Sequence, residues 1–360
     1  MHLRQLWLTD FRSYESAEVA LPAGLTAVLG PNGRGKSNLL EAVAYLGTLR
    51  SFRGAPSEAL VRVGAERAVV RGEVVVDGRD HLIEAEVAPT GRSRVLVDKQ
   101  RLARTRDLLA TVRTTVFSPD DLDLVKGGPS GRRGLLDDGV VALHPPNDAV
   151  RSDWERALRQ RNALLKQVHG RPDESALLTL EVWDEKLSAA GDRLGALRAD
   201  LVERLGPVVE RAYRDVAAAE QEVVLRYDAP WRTEGLAAAL VASRRDELRR
   251  GVTLVGPHRD ELVIQLRGLP SRTHASQGEQ RSLALALRLA LHRTLSEAYG
   301  TPPILLLDDV FSELDPDRSA ALLHALPAGQ TLLSSASGLP SGIEPALSLH
   351  VGEGVVSPAP

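Results

Sequence analysis

The sequence predicts an α/β fold, a largely parallel sheet divided by a helical insertion, and three observations point there. A glycine-rich loop, Gly30-Pro31-Asn32-Gly33-Arg34-Gly35-Lys36-Ser37, follows an aliphatic segment that reads as a buried strand, Thr26-Ala27-Val28-Leu29, and precedes a helical segment over 38–49. Late in the chain, Ile304-Leu305-Leu306-Leu307 runs into Asp308-Asp309. That is the pattern of a strand covered on both faces, ending in carboxylates at the sheet edge where open α/β folds bind ligands. Between the two, beyond Pro119, the apolar spacing becomes helical.

Residues 1–118 read as the first half of the sheet domain. They hold early strands, the loop and its helix, and a meander in which segments 68–76 and 81–87 flank Asp77-Gly78, a strong hairpin signal. Residues 119–250 read as a mainly helical arm, with helices at 147–168, 176–206, 208–219 and 233–250 and a strand at 222–227. Pro207 is expected to divide the second helix from the third. Residues 251–356 return to the sheet domain, and 357–360 read as a loose tail.

The loop fits G-x-x-x-x-G-K-[ST], in which backbone N–H groups at a helix start close around phosphates. Candidate nucleotide contacts are Gly30, Pro31, Asn32, Gly33, Arg34, Gly35, Lys36, Ser37 and the adjoining Asn38. Lys36 would reach the β- and γ-phosphates, and Ser37 with Asp308 would hold Mg²⁺. Asp309 would sit beside the attacking water, to orient it and accept its proton. A further segment, Ser276-Gln277-Gly278-Glu279-Gln280, opens a run over 279–298 that is apolar nearly all round, as in a buried helix, with Ser276 as N-cap. Its free N–H groups make either a second phosphate-binding surface or an ordinary helix start.

The order of phosphate loop, S-Q-G-E-Q, L-L-L-D-D and the S-E-L-D of Ser312-Glu313-Leu314-Asp315 resembles the head of an ABC-type ATPase. The resemblance implies ATP and Mg²⁺ as cofactors and a P-loop sheet with an antiparallel β subdomain. It also implies a homodimer in which Ser276, Gln277 and Gly278 of one head close on the ATP of another, with Asp315 in the loop coupling the sites. The opening, Leu3-Arg4-Gln5-Leu6-Trp7-Leu8-Thr9-Asp10-Phe11-Arg12-Ser13-Tyr14, is similar to that of the SMC and RecF group. Phe117-Ser118-Pro119-Asp120-Asp121-Leu122, Lys126-Gly127-Gly128-Pro129 with Arg132-Arg133, and Gly256-Pro257-His258-Arg259-Asp260-Glu261-Leu262 resemble the RecF family in particular. That likeness implies DNA repair and replication, RecR and RecO proteins as partners, aid in recombinase loading at single-strand gaps, and a part in SOS induction.

Composition agrees. A chain of 360 residues suggests two lobes, and the absence of cysteine excludes disulfides and thiolate metal sites. No apolar stretch approaches the roughly 18 residues of a membrane span, so a cytoplasmic protein without a membrane partner is expected. A net charge of −3 excludes a uniformly basic DNA-coating protein and leaves local patches. The candidates for DNA phosphates are Arg132, Arg133, Arg156, Arg159, Arg161, Lys166, Arg244 and Arg245; the ordinary alternative for each is a solvated face. No stacking platform, helix-turn-helix or zinc signature appears, so base-specific reading is not expected.

Two departures bear on the enzyme. Asp309 stands where many ABC heads have glutamate, and its shorter side chain implies slow hydrolysis. The strand at 331–334 runs into Ser335-Ala336, where many heads place a γ-phosphate-sensing histidine; Ser335 is the nearest replacement. No glutamine near 117–122 serves the Mg²⁺ role common in ABC heads. Asp120 or Asp121 would be the substitute, or else both belong to a plain helix start. His258 and Arg259 receive no catalytic role. The competing readings are the ATPase subunit of an ABC transporter and an SMC-like chromosome protein. The long insertion argues against the first. Against the second stands the lack of sustained heptads in helices interrupted by Gly170, Pro172, Gly191 and Pro207.

Overall fold

A computed structural model describes residues 1–90, 93–102, 104–168, 170–336, 338–340 and 342–359. The chain forms two compact units. One comprises Met1–Val125, Val208–Gln221 and Ala275–Pro360, the other Lys126–Pro207 and Glu222–His274.

The first unit contains two six-stranded sheets. In one, Leu25–Leu29, Thr331–Ser335, Ile304–Leu307 and Thr114–Phe117 lie side by side in parallel, with Leu347–Gly352 parallel on the other flank of Leu25–Leu29. Ile304–Leu307 has parallel neighbours on both sides and is buried at all four side chains, on both faces of the sheet, so a continuous aliphatic run is required there. The other sheet is antiparallel, ordered Tyr14–Ala20, His2–Phe11, Ala68–Val76, Arg79–Val87, Arg94–Val97, Gln100–Arg101. Its hairpin turns at Asp77 and Gly78, both with positive φ (51° and 76°), as a two-residue type I′ turn demands.

The helix Lys36–Thr48 joins both sheets in one core: Leu39, Leu40 and Val43 cluster with Leu3, Leu6 and Leu8 of the antiparallel sheet and with Ile304, Leu306 and Leu332 of the parallel one. Gln330 bridges the first strand to the far end of the chain. Its amide oxygen accepts from Leu3 N (2.7 Å), while its Nε2 donates to Leu3 O (2.7 Å) and Pro22 O (2.8 Å).

The second unit holds the helices Pro129–Leu143, Asp148–Gln167 and Leu236–Arg250 and an antiparallel sheet ordered Leu269–Pro270, Glu261–Leu266, Val223–Asp228. Because Glu261–Leu266 pairs with Val223–Asp228, the segment after 250 stays with this unit; cross-strand pairing of that kind is invisible to a linear reading of pattern.

Three expectations are corrected. Segments 176–206 and 208–219 are one helix, Glu174–Ala217, with Pro207 inside it. Proline removes the bond to the carbonyl of residue 203, and both Glu203 and Pro207 are exposed, so the interruption falls on the solvent side of the helix. Gly191 does not break the helix either. A Cβ there would lie 2.3 Å from Leu236 and 2.9 Å from Trp154, and one on Gly195 would lie 2.7 Å from Trp231; the glycines form a groove for a cluster that includes Trp154, Trp231 and Leu236. Finally, residues 357–359 are not loose, Pro360 lying outside the described residues: Val355–Pro358 pairs with Leu347–Gly352, and Ala359 N donates to Ser348 O (2.8 Å). Among the described residues no helix is long and apolar enough to cross a membrane.

Candidate nucleotide site

The loop begins at the end of the strand Leu25–Leu29 and feeds the helix Lys36–Thr48. Glycine is required at two of its positions. At Gly30 (φ 144°) a Cβ would lie 2.3 Å from the Val351 carbonyl oxygen, and at Gly35 (φ 114°) it would meet Ser13 Oγ at 2.9 Å. The buried Tyr14 hydroxyl donates to Gly35 O (2.8 Å), fixing the loop at the helix start. Pro31, Asn32, Gly33 and Arg34 are exposed, Ser37 and Asn38 half-buried. Arg34 pairs with Glu353 (2.7 Å), and Asn38 donates to Ser13 Oγ (2.9 Å) while accepting from Arg53 (3.1 Å).

Lys36 is 5 % exposed, and its Nζ donates to Gly30 O (2.7 Å) and Pro31 O (3.0 Å). Burial lowers its pKa; the nearby Asp309 and Asp308 work the other way.

Ser37 Oγ donates to Asp308 Oδ1 (2.8 Å), so the loop and the acidic strand end meet although 271 residues separate them. Ser334 Oγ donates to the same oxygen (2.7 Å) and accepts from Asp309 N (2.9 Å). Burial raises the Asp308 pKa, opposed by these two hydroxyls. A serine hydroxyl and a carboxylate oxygen this close are the hard, partial ligand set that Mg²⁺ takes when phosphates and waters complete its shell. Asp309 takes a left-handed conformation (φ 48°) just beyond that strand. Aspartate tolerates it better than most residues.

Ser276 caps the helix Gln277–Tyr299 in a capping box: Glu279 N donates to Ser276 Oγ (3.3 Å), and Ser276 N donates to the Glu279 carboxylate (2.7 Å). Ser276 and Gln277 are exposed. Asp315 caps the helix Pro316–Ala325 through Arg318 N (2.9 Å).

Ser334 was missed from sequence; its only signal is its place on the strand beside the acidic one. Ser335 donates instead to Gly338 O (2.6 Å). Asp121 is structural: it accepts from Ser118 N (2.9 Å) and pairs with Arg288 (2.6 Å), which bears out the helix-start reading.

The DNA candidates divide by burial, and two need correction. Arg161 is 0 % exposed, bonded to Asp184 (2.6 Å), Glu247 (2.7 Å) and Thr253 (2.8 Å). Arg132 is 5 % exposed, with both its Nε and Nη2 on the Glu261 carboxylate (2.7 and 2.9 Å). Neither guanidinium can reach a phosphate. Arg133 donates to Asp260 O (2.9 Å), and Arg244 pairs with Asp184 (2.6 Å). Arg156 and Arg159 are exposed beside Asp153 and Glu155, whereas Lys166 and Arg245 are exposed with no ion pair among the described residues.

Residues 2–332 match the family model for the RecF/RecN/SMC N terminal domain. The DNA replication and repair protein RecF of Streptomyces avermitilis is 46% identical over 94% of either chain, and that of Beutenbergia cavernae 43% identical over 94% of either. Among solved structures, one of the recombination mediator protein RecF-ATP in the RecFOR pathway superposes with a TM-score of 0.91 at 30% identity, covering 100% of this chain and 98% of that one. An SMC head bound to the C-winged helix domain of ScpA, at 17% identity and a TM-score of 0.60, covers 100% of this chain and 97% of that one and shares the fold. With relatives this similar along nearly its whole length, the chain belongs to the RecF family of DNA replication and repair proteins, built on an ABC-type ATPase head.

Proposed function

We propose that the protein is an ATP-gated DNA clamp: Mg-ATP joins two heads on DNA, and slow hydrolysis releases them. The observation that carries the reading is the contact of Ser37 with Asp308 in a head whose Ser276 and Gln277 face solvent. The loop and acidic strand hold a nucleotide from one side, and the exposed helix start is free to close on the nucleotide of a second copy. Lys36 would leave its loop carbonyls for the β- and γ-phosphates. Ser37 and Asp308 would hold Mg²⁺, which supplies charge neutralisation at the phosphates. Asp309, its backbone N–H tied to Ser334, would orient water from a side chain one methylene shorter than glutamate; slow turnover follows. ATP binding is then the switch and hydrolysis the reset.

DNA would be gripped through its backbone, with Lys166 and Arg245 the best-placed of the arm residues because they are exposed and without an ion pair among the described residues. The relatives' names support a role in DNA replication and repair within a RecFOR pathway; our reading extends this to RecR and RecO partners, a cytoplasmic setting, recombinase loading at gaps and SOS induction.

Solution mass with and without Mg-ATP tests the clamp, for wild type, Lys36→Met, Ser276→Arg and Asp309→Asn, each then mixed with duplex DNA. ATP-dependent dimers are expected in wild type and Asp309→Asn, absent from the other two, with DNA affinity following the dimer. A monomer under every condition, or DNA binding indifferent to ATP, would sink the reading.

A further inference from the structure

The start of the helix Gln277–Tyr299 carries a cation that the motifs do not account for. The Arg318 guanidinium lies directly on Gly278: a Cβ built there would be 2.0 Å from Nη1 and 2.9 Å from Cζ. Glycine at this position lets the guanidinium rest on the backbone of the first turn. Arg318 belongs to the next helix, Pro316–Ala325, where its own N–H is anchored on the capping carboxylate of Asp315 (2.9 Å).

The side chain is held loosely. Its Nε stands 3.5 Å from Asp315 Oδ2, at the outer edge of contact, with Asp315 half exposed at 53%. Among the described residues no guanidinium N–H of Arg318 makes a hydrogen bond, although its side chain is only 26% exposed. Five donors of fixed charge are thus stored over the turn at Ser276-Gln277-Gly278, the signature turn of the head, with a weak ionic partner and no acceptor of matching geometry.

Electrostatics gives the cation a task. The first turn already bears the Glu279 carboxylate, which accepts from Ser276 N (2.7 Å). A nucleotide phosphate brought to this helix start would meet that like charge beside the partial positive charge of the helix end. A guanidinium over Gly278 adds a full positive charge there, in the fork geometry that suits phosphate oxygens.

Resting on the dimer reading above, we infer that Arg318 is a phosphate contact made in trans: it turns from Asp315 onto the terminal phosphate of the ATP bound by a second copy. Asp315 aims it through the helix cap and carries its charge while no partner is present. The signature turn and the following loop then act as one phosphate clamp, with Gly278 as the seat and Arg318 as the cover.

The test uses full-length protein in the Asp309→Asn background, so that ATP persists. Two quantities are read for Arg318→Gln and Arg318→Lys: affinity for a fluorescent ATP analogue at dilutions where the chain is monomeric, and the dimer dissociation constant in Mg-ATP. Nucleotide affinity of the monomer should change by less than about twofold, while Arg318→Gln weakens the dimer about tenfold or more and Arg318→Lys by less. Equal loss in both quantities would make Arg318 a contact to its own nucleotide, and an unaffected dimer would make it a surface residue; either overturns the proposal. If the chain stays monomeric with Arg318 intact, the clamp itself fails, an outcome distinct from failure of this contact alone.

Discussion

Charge is buried differently in the two units. Beside the phosphate loop, Lys36 is satisfied by backbone carbonyls and Asp308 by two serine hydroxyls, and neither forms an ion pair among the described residues. In the other unit Arg161 sits at 0 % exposure between Asp184 and Glu247, and Arg198 at 3% against Asp137. Asp260 there accepts from Trp231 Nε1 (2.6 Å) and from the Tyr227 hydroxyl. The first arrangement leaves charge uncompensated until a ligand arrives. The second consumes its buried charges internally, and for that reason Arg132 and Arg161, which resemble a nucleic-acid footprint in sequence, are parts of the fold.

The comparison breaks most visibly at Arg161. Arg161→Met leaves the fully buried Glu247 carboxylate without its cation, and about 3–5 kcal/mol of stability should disappear from urea unfolding. The pair Arg161→Met with Glu247→Leu should regain much of that loss, because an apolar pair carries no uncompensated charge. If both variants unfold at the wild-type midpoint, the arm is not held by its ion networks.

Acid should act on both units through deeply buried histidines. Burial lowers His258, in the second unit, and His292, in the first, from 6.5 to about 4. The folded state therefore favours the neutral rings: their contribution is complete above pH 6.5 and is lost as pH falls towards 4. Each contributes at most about 3 kcal/mol, read as the slope of stability against pH. The two differ in partners. His258 Nε2 lies 3.0 Å from Thr253 O, whereas neither nitrogen of His292 has a hydrogen bond among the described residues. His292→Leu should accordingly stabilise by about 1 kcal/mol and flatten the acid limb, while His258→Leu, orphaning a carbonyl, should not.

Lys36→Met sharpens the contrast from the other side. Removing a desolvated ammonium should shift stability by less than about 1 kcal/mol while nucleotide affinity falls about tenfold or more. The smallest effect belongs to the exposed pairs: Arg156→Ala and Arg159→Ala should each change stability by less than about 0.5 kcal/mol.

What the sequence made legible was local. The loop with its flanking strand and helix, the Asp77-Gly78 turn and the capping box at Ser276 each carry their cause within a few residues. The meeting of Ser37 with Asp308 could be anticipated because the two motifs imply each other. Features whose cause lies elsewhere in the chain were hidden. Gly191 looks like a helix breaker until Trp154 and Leu236 arrive to fill its face, and Pro207 looks like a helix end until its missing bond falls on the exposed side. The burial of Arg161 depends on Asp184 and Glu247, distant residues that no spacing rule joins to it. Ser334 gives no sign of its hydroxyl bonds because strand serines are common.

The bond from Leu3 to Gln330 also says something about how the protein is made. The backbone of the first strand waits for an amide 327 positions later, and the strand Leu25–Leu29 waits for its neighbour Thr331–Ser335. At ribosomal speeds of about 5–20 residues per second, roughly half a minute passes between the two ends leaving the tunnel. During that interval the segment Lys126–Pro207 has already emerged, while Leu25–Leu29 and Thr114–Phe117 still lack their parallel neighbours. The nascent parallel sheet is thus the stretch of this chain that most needs a chaperone, and the head becomes competent for nucleotide only after Thr331–Ser335 has emerged.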